Sequence, residues 1–335
     1  MNKWTLVASL GGAVGLWAAT NALNFFLGKS WERAKAKGRE HLLKAPRVDH
    51  WVEQLNEAMA GKVVFHSEIR MEPEIVLLGD YKLTEAQEAL RKDHLARIQE
   101  REIPNDAHAI LVKAPDWRLD PVRLEVRHLD YAGVCALRDT GERPAILSSN
   151  AVIVCEEAGE LVIQRRGHDV ATFPEHLHTF GGAFIPQTHA KGIGDRDLRT
   201  TFEREMLEES TLALTEDSEL PMVLAEEVPT GFIQLIRIGY NIDLKRKGRC
   251  MHTWEGRVQF IKFDNLLEEI EQDRWVPTGL GHVLAWLALG TPGLKIRPKF
   301  KGLRSDKLFK TILRSPWFPG KLNGLVANPD KITVA

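Results

Sequence analysis

"REMLEES", residues 204–210, sets three glutamates, Glu205, Glu208 and Glu209, within five positions directly behind Arg204. Around it Leu198, Phe202 and Met206 recur at i, i+4, an apolar stripe that predicts a helix with one face toward a core. Asp195 and Asp197 both stand where a helix N-cap is needed. At about 100° per residue the three carboxylates lie roughly 100°, 160° and 60° from Met206, all on one flank of that stripe. Two carboxylates about 6 Å apart repel by about 3 kcal/mol at an effective dielectric near 20, and like charges at i+4 weaken a helix. Arg204 can bond Glu208 one turn on, but one cation does not balance three acids. A divalent cation would: carboxylate oxygens suit Mg²⁺ or Mn²⁺, and a glutamate left free as base toward an activated water is equipped to hydrolyse a phosphoanhydride. The plainer reading is a solvated acidic helix face, and the helix alone favours it.

The flanking sequence favours the chemistry. "ILSSNAVIVCEEAGELVIQRR" (146–166) reads as two strands joined by a turn at Glu157–Gly159, ending in Arg165 and Arg166. "FPEHLHTFGGAF" follows, its Gly181 and Gly182 letting the backbone turn or approach a ligand closely. Strands are expected at 222–228, 232–243 and 256–263, and helices near 265–273 and 279–289. "REMLEESTL" after such a hairpin and Gly-Gly pair resembles the box of the Nudix hydrolase family: Gly, five residues, Glu, seven residues, then Arg-Glu-apolar-any-Glu-Glu-any-Gly-apolar. Arg204, Glu205, Met206, Glu208, Glu209 and Leu212 match it position by position. The resemblance covers roughly residues 146–290 and implies an α/β class fold, the Nudix-type α/β/α sandwich around a mixed sheet. It implies a pyrophosphohydrolase that uses Mg²⁺ or Mn²⁺ to cleave a small nucleoside diphosphate derivative. Glu205, Glu208 and Glu209 are then metal ligands, with Gly182 adding its carbonyl, and Arg204 orients Glu208. Glu255, in "TWEGRVQF", resembles the acid many such enzymes bring from a downstream loop. Arg165, Arg166, Gly181 and Gly182 are the substrate-facing expectations; solvated arginines at a strand end are the alternative.

Three departures stand against the pattern. Thr211 replaces the box glycine; Arg196, not a glutamate, sits eight residues before Arg204; and 21 residues separate Gly182 from Arg204, eight more than the family's 13. The surplus reads as a loop insertion around "THAKGIGD". These departures keep open a second function, a catalytically inactive Nudix-fold module that binds a nucleotide or a partner. His176, His178 and His189 near the Gly-Gly pair are read as pocket or surface residues, since no third zinc ligand accompanies them.

The remaining chain sets the context. Its 335 residues are 44% apolar, enough for a sizeable core, and 45 Lys+Arg against 46 Asp+Glu exclude a global nucleic-acid-binding charge. Three scattered cysteines, Cys135, Cys155 and Cys250, fit no disulfide or zinc pattern and suit a reducing compartment. Residues 4–27 run 24 positions without a charge; as a helix they would reach roughly 36 Å, against a bilayer core of about 30 Å. With one basic residue before this run and five soon after, 1–28 reads as a single-pass transmembrane anchor leaving the chain cytoplasmic, a signal peptide being the rival. Gly11 and Gly15 form the G-x-x-x-G spacing of close helix pairs, hence an expectation of a homodimer. Residues 29–45 are a basic juxtamembrane linker. Residues 46–145 are a mixed α/β region of unassigned role, with a helix opening at Thr84 and strands at 108–113 and 122–129. Residues 291–335 read as a basic-aromatic tail, nine Lys/Arg between 295 and 321 interleaved with Phe300, Phe309, Trp317 and Phe318, suited to lipid headgroups or to water.

Overall fold

The computed structural model describes residues 50–294 and 305–323, apart from 101, 103, 169, 171–172, 188–193, 211–219, 243–252 and 254. The expected anchor and linker lie outside the described residues, as do His189, Thr211 and Leu212. Among the described residues no helix is long and apolar enough to cross a membrane.

A large mixed sheet carries the architecture. Its strands are β1 (Val63–Ile69), β5 (Leu147–Cys155), β6 (Glu160–Arg166), β7 (Leu177–His178), β8 (Phe180–Ala183), β9 (Met222–Glu227), β10 (Phe232–Asn241) and β11 (Gly256–Lys262). The order is β1-β9-β10-β5-β6-β11, with β8 also on β5 and β7 also on β6. Only β10 and β5 run parallel; the other neighbours are antiparallel. Every residue of β5 is buried, as a central strand covered on both faces requires. Ala151, Ile153 and Cys155 meet the glutamate helix, here α4 (Leu198–Ser210), through Phe202 and Met206, which are fully buried. Val152 and Val154 point the other way, toward α1 (His50–Ala58) and α6 (Pro277–Ala288). A bulge between Ile238 and Tyr240, with Gly239 at φ +94°, flips β10, so that Tyr240 joins Phe202 at 5.3 Å between ring centroids.

The segment before residue 146 takes part in this sheet. β1 adds an edge strand to β9, and the rest forms a three-stranded sheet of order β2-β4-β3: β2 (Glu74–Asp80), β3 (Ala107–Leu111) and β4 (Arg123–Asp130). Helix α3 (Tyr131–Asp139) lies against β4, and α2 (Glu85–Glu100) packs on α3. Thr84 opens α2 through a reciprocal cap, Thr84 N–H donating to Gln87 Oε1 at 3.0 Å and Gln87 N–H to Thr84 Oγ1 at 3.3 Å. Ala109 N–H donates to Phe184 O at 3.3 Å, tying β3 to the end of β8.

Two local expectations change. Gly181 and Gly182 lie within β8, paired with β5, instead of forming a turn. At the other end, α5 (Leu266–Gln272) precedes α6, and residues 305–323 form α7 (Ser305–Arg314) and α8 (Phe318–Asn323). Phe309, Ile312, Phe318 and Leu322 are at most 2% exposed and belong to the α6-side core. The aromatics Phe309 and Phe318 therefore face protein and are not available to a lipid surface.

Candidate active site

Helix α4 starts where its sequence can cap it: Asp197 Oδ1 accepts from Thr200 N–H at 2.7 Å. The three glutamates then sink in the order of their angle from Met206. Glu209, nearest the core stripe, is buried; the Glu205 side chain is 13% exposed, and that of Glu208, farthest away, 58%. Helix periodicity alone grades one acidic segment from interior to solvent.

Arg204 is held from several sides. Its Nε and Nη2 donate to both carboxylate oxygens of buried Asp195, at 2.9 and 3.0 Å, and Nη2 also donates to Ala183 O at 3.2 Å. Nη1 then reaches Glu205 at 2.9 Å and Glu208 at 3.1 Å. Asp195 stands nine residues before Arg204, one earlier than the box glutamate would, so its position in the sequence suggests only a helix cap. Its spatial role comes from the loop. Asp195 pairs with the strand end through Asp195 N–H to Ile185 O at 2.6 Å and Ile185 N–H to Asp195 Oδ2 at 3.0 Å. Ile185 and Asp195 thus form a neck, and the acid at that neck fixes the arginine.

Gly182 meets α4 closely. A Cβ there would overlap the Glu205 carboxylate, so only glycine leaves that carboxylate its place. Gly181 N–H points to Glu209 Oε2 at 3.4 Å. On the opposite side, Gly256 of β11 is the ladder partner of Arg166, which sets Glu255 at the mouth of that pair, and Glu255 O accepts from Gly167 N–H at 2.7 Å. Burial pushes the Glu205 carboxyl up to about 7 against the pull of Arg204, with Glu255 and Glu208 adding to the rise. Burial, then Glu205 and Glu255, raise Glu209 well above the ordinary range. Glu255 is raised by burial too, with Arg166 opposing. Arg166 is depressed by burial and held charged by Glu209, Glu255 and Glu227.

The structure therefore brings Arg204, Glu205, Glu208, Glu209, Glu255, Gly181, Gly182 and Arg166 into one electrostatic cluster. Arg165 is turned to the other face, as strand alternation demands. Its donors go to Asp273 (3.1 and 2.5 Å), Gln259 (3.0 Å) and Glu175 O (3.0 Å), which makes it a brace between β6, β11 and the end of α5 instead of a substrate contact. His178 is buried with Nε2 at 3.2 Å from Thr278 Oγ1, and burial drives its imidazole down to about 4.

Asp195, Glu205, Glu208, Glu209 and Glu255 are five carboxylates set against two guanidiniums, a formal excess of three negative charges when all are ionised. That surplus, in hard oxygen donors beside a glycine cradle, fits Mg²⁺ or Mn²⁺ in charge and chemistry. Among the described residues no three His, Cys, Asp or Glu side chains stand as a ready-formed cage for a metal ion.

No protein-family model matches the chain, and no curated protein matches it. Among solved structures it is similar to the MutT protein from Methanosarcina mazei Go1, at 20% identity over 40% of this chain and 86% of that one, with a TM-score of 0.31. It is similar to a NUDIX hydrolase from Nitrosomonas europaea, at 14% identity over 42% and 88%, TM-score 0.32. It is also similar to the NUDIX domain of Shewanella oneidensis NrtR, complexed with ADP ribose, at 13% identity over 40% and 80%, TM-score 0.30. At these identities and scores no activity passes from them to this chain; activity has to come from the site.

Proposed function

We propose that the protein is a Nudix-type hydrolase that cleaves the phosphoanhydride of a nucleoside diphosphate derivative with Mg²⁺ or Mn²⁺. The observation that supports this is the enforced crowding of Glu205 and Glu209 with Glu255: burial raises all three, Glu255 adds to the rise of both helix glutamates, and Glu205 adds to that of Glu209. A solvated acidic face would leave each carboxylate hydrated and apart; here the helix drives two of them inward, which costs stability unless a cation or a reacting group uses them. A divalent ion held by Glu205, Glu208, Glu209 and the Gly182 carbonyl would supply Lewis acidity toward phosphate and water.

The chain's own groups do the rest. Asp195 fixes Arg204, and Arg204 keeps Glu205 and Glu208 on one side of the helix through charge-assisted bonds. Arg166, buried near Glu209 and Glu255, would meet phosphate oxygens with its guanidinium. Glu255, electrostatically coupled to the α4 glutamates, is suited to take a proton from water as it attacks phosphorus, with the second phosphate leaving. The uncharged run at 4–27 supports siting this activity at a membrane, with the hydrolase domain on the cytoplasmic side.

Phosphate release from a panel of nucleoside diphosphate derivatives with Mg²⁺, compared between the natural chain and Glu208→Gln, tests the reading. The variant should lose activity; equal, near-zero rates in both would leave a nucleotide-binding module instead.

A further inference from the structure

Helix α7 turns opposite faces to unlike surroundings. At about 100° per residue Phe309 and Ile312 lie roughly 60° apart. Both are buried, in the core that α6 and α8 complete. Lys307, Lys310 and Arg314 fall within about 60° of one another on the far side of the helix, and all three are exposed. The packing that takes the aromatic inward therefore fixes a row of three bases outward. At about 1.5 Å per residue, that row runs roughly 10 Å along the helix axis.

Little on the helix offsets these charges. Asp306 is its one acid, and its carboxylate meets Lys310 Nζ at 3.0 Å. Three bases against one acid leave the face with two net positive charges. On α8, Lys321 is drawn away to Asp273 O at 2.9 Å. Thr311, Pro316, Pro319 and Gly320, the other exposed residues nearby, carry no charge. Over the whole chain 45 Lys+Arg stand against 46 Asp+Glu, so bases gathered on one side of one helix are a local segregation of charge. The same chain carries, at residues 4–27, an uncharged run long enough to span a bilayer.

We propose that the outer face of α7 is a docking surface for an anionic lipid bilayer, held by charge alone. Headgroup phosphates and carboxylates meet Lys307, Lys310 and Arg314, the arginine offering two parallel N–H donors. Because Phe309 and Ile312 are committed to the core, neither enters the hydrocarbon. Each base near an anionic leaflet strengthens attraction about fivefold, so two net charges amount to roughly 25-fold over neutral lipid. Salt removes such a contact, since the screening length falls from about 10 Å at 0.1 M to about 3 Å at 1 M. A nucleic-acid backbone presents similar phosphates; the uncharged run in the same chain favours the bilayer. The inference goes beyond the hydrolase reading and does not rest on it.

The test reads the bases themselves. The full chain is reconstituted into vesicles of phosphatidylcholine, alone or mixed with phosphatidylserine, and its lysines are acetylated by a water-soluble reagent and quantified by mass spectrometry. Lys82 and Lys92, exposed elsewhere on the molecule, serve as internal references. At about 0.1 M salt Lys307 and Lys310 should react about tenfold more slowly on the serine-containing vesicles than on neutral ones, relative to the references, and at about 1 M salt the difference should vanish. Arg314→Glu, checked for folding by its Tm, should cut that protection at least threefold. Equal rates on both lipids, protection that survives high salt, protection of the references to the same degree, or an unchanged effect in folded Arg314→Glu each overturn the proposal. So does slow labelling of Lys307 and Lys310 on every vesicle, which would mean that protein covers the face. Equal protection by soluble polyuridylate on neutral vesicles would replace the bilayer with a nucleic acid.

Discussion

Replacing Glu205 by glutamine removes one ionisation from the most crowded part of the cluster, and its consequence for stability has a definite sign. The Glu205 carboxyl is raised from 4.5 to about 7, so the folded state holds its proton more tightly than the unfolded chain does. Its contribution is fully present below about pH 4.5 and is lost as pH rises through about 7. That interval of about 2.5 on the pH scale, at 1.36 kcal/mol per unit, makes the loss about 3 kcal/mol. Glu205→Gln has no such loss. In cation-free buffer the variant should therefore gain about 3 kcal/mol on the natural protein between pH 4.5 and 8, roughly 5–10 °C in the difference of Tm for a unit of this size. Scanning calorimetry of both proteins across that range, with chelator and then with Mg²⁺, reads it. Mg²⁺ should restore the natural protein at pH 8 and leave the variant nearly unmoved. Parallel Tm profiles in chelator, together with equal responses to Mg²⁺, would refute the reasoning that burial holds an unwilling carboxylate ready for a cation.

Other outcomes follow from the same geometry. Asp195→Asn removes the charge that grips Arg204 from two sides and should cost about 2–3 kcal/mol by denaturant unfolding, with phosphate release reduced at least tenfold. Gly182→Ala sets a methyl where the Glu205 carboxylate lies; because that carboxylate ends a flexible side chain, stability should fall by about 1 kcal/mol or less while Mg²⁺ uptake, measured by calorimetry, drops at least tenfold. Phe309→Ala empties a site that is 2% exposed and should cost about 3–5 kcal/mol, whereas an aromatic on a free tail would cost nothing measurable. His66 and His178 are both lowered to about 4 by burial, so their stabilisation is present above about pH 6.5 and lost as pH falls through 4; His66→Gln should flatten the acid limb of an unfolding profile.

The legible part of this molecule was whatever repeats at a fixed period. The stripe Leu198, Phe202, Met206 gives α4 its inner face and sets the three glutamates on one flank of it; their graded burial appears only in the packing. The apolar runs on either side of the Glu157–Gly159 turn give β5 and β6 within a residue or two. What sequence spacing does not carry is which distant residue closes a contact. Asp195 was visible only as a cap because its hold on Arg204 depends on a loop neck formed with Ile185. Arg165 and Arg166 look equivalent in a string of letters, yet strand alternation sends one to Asp273 and the other to the glutamates. The basic-aromatic composition of 295–321 suggests a surface tail, and only the packing partners of Phe309 and Phe318 show that those aromatics are core residues.

The neck at Ile185 and Asp195 also gives one acid two tasks. Asp195 meets Ile185 through backbone and side chain while the same side chain grips Arg204, so the angle at which the arginine is presented is inherited from the strand end. Exchanging that single acid unfastens both carboxylate contacts at once.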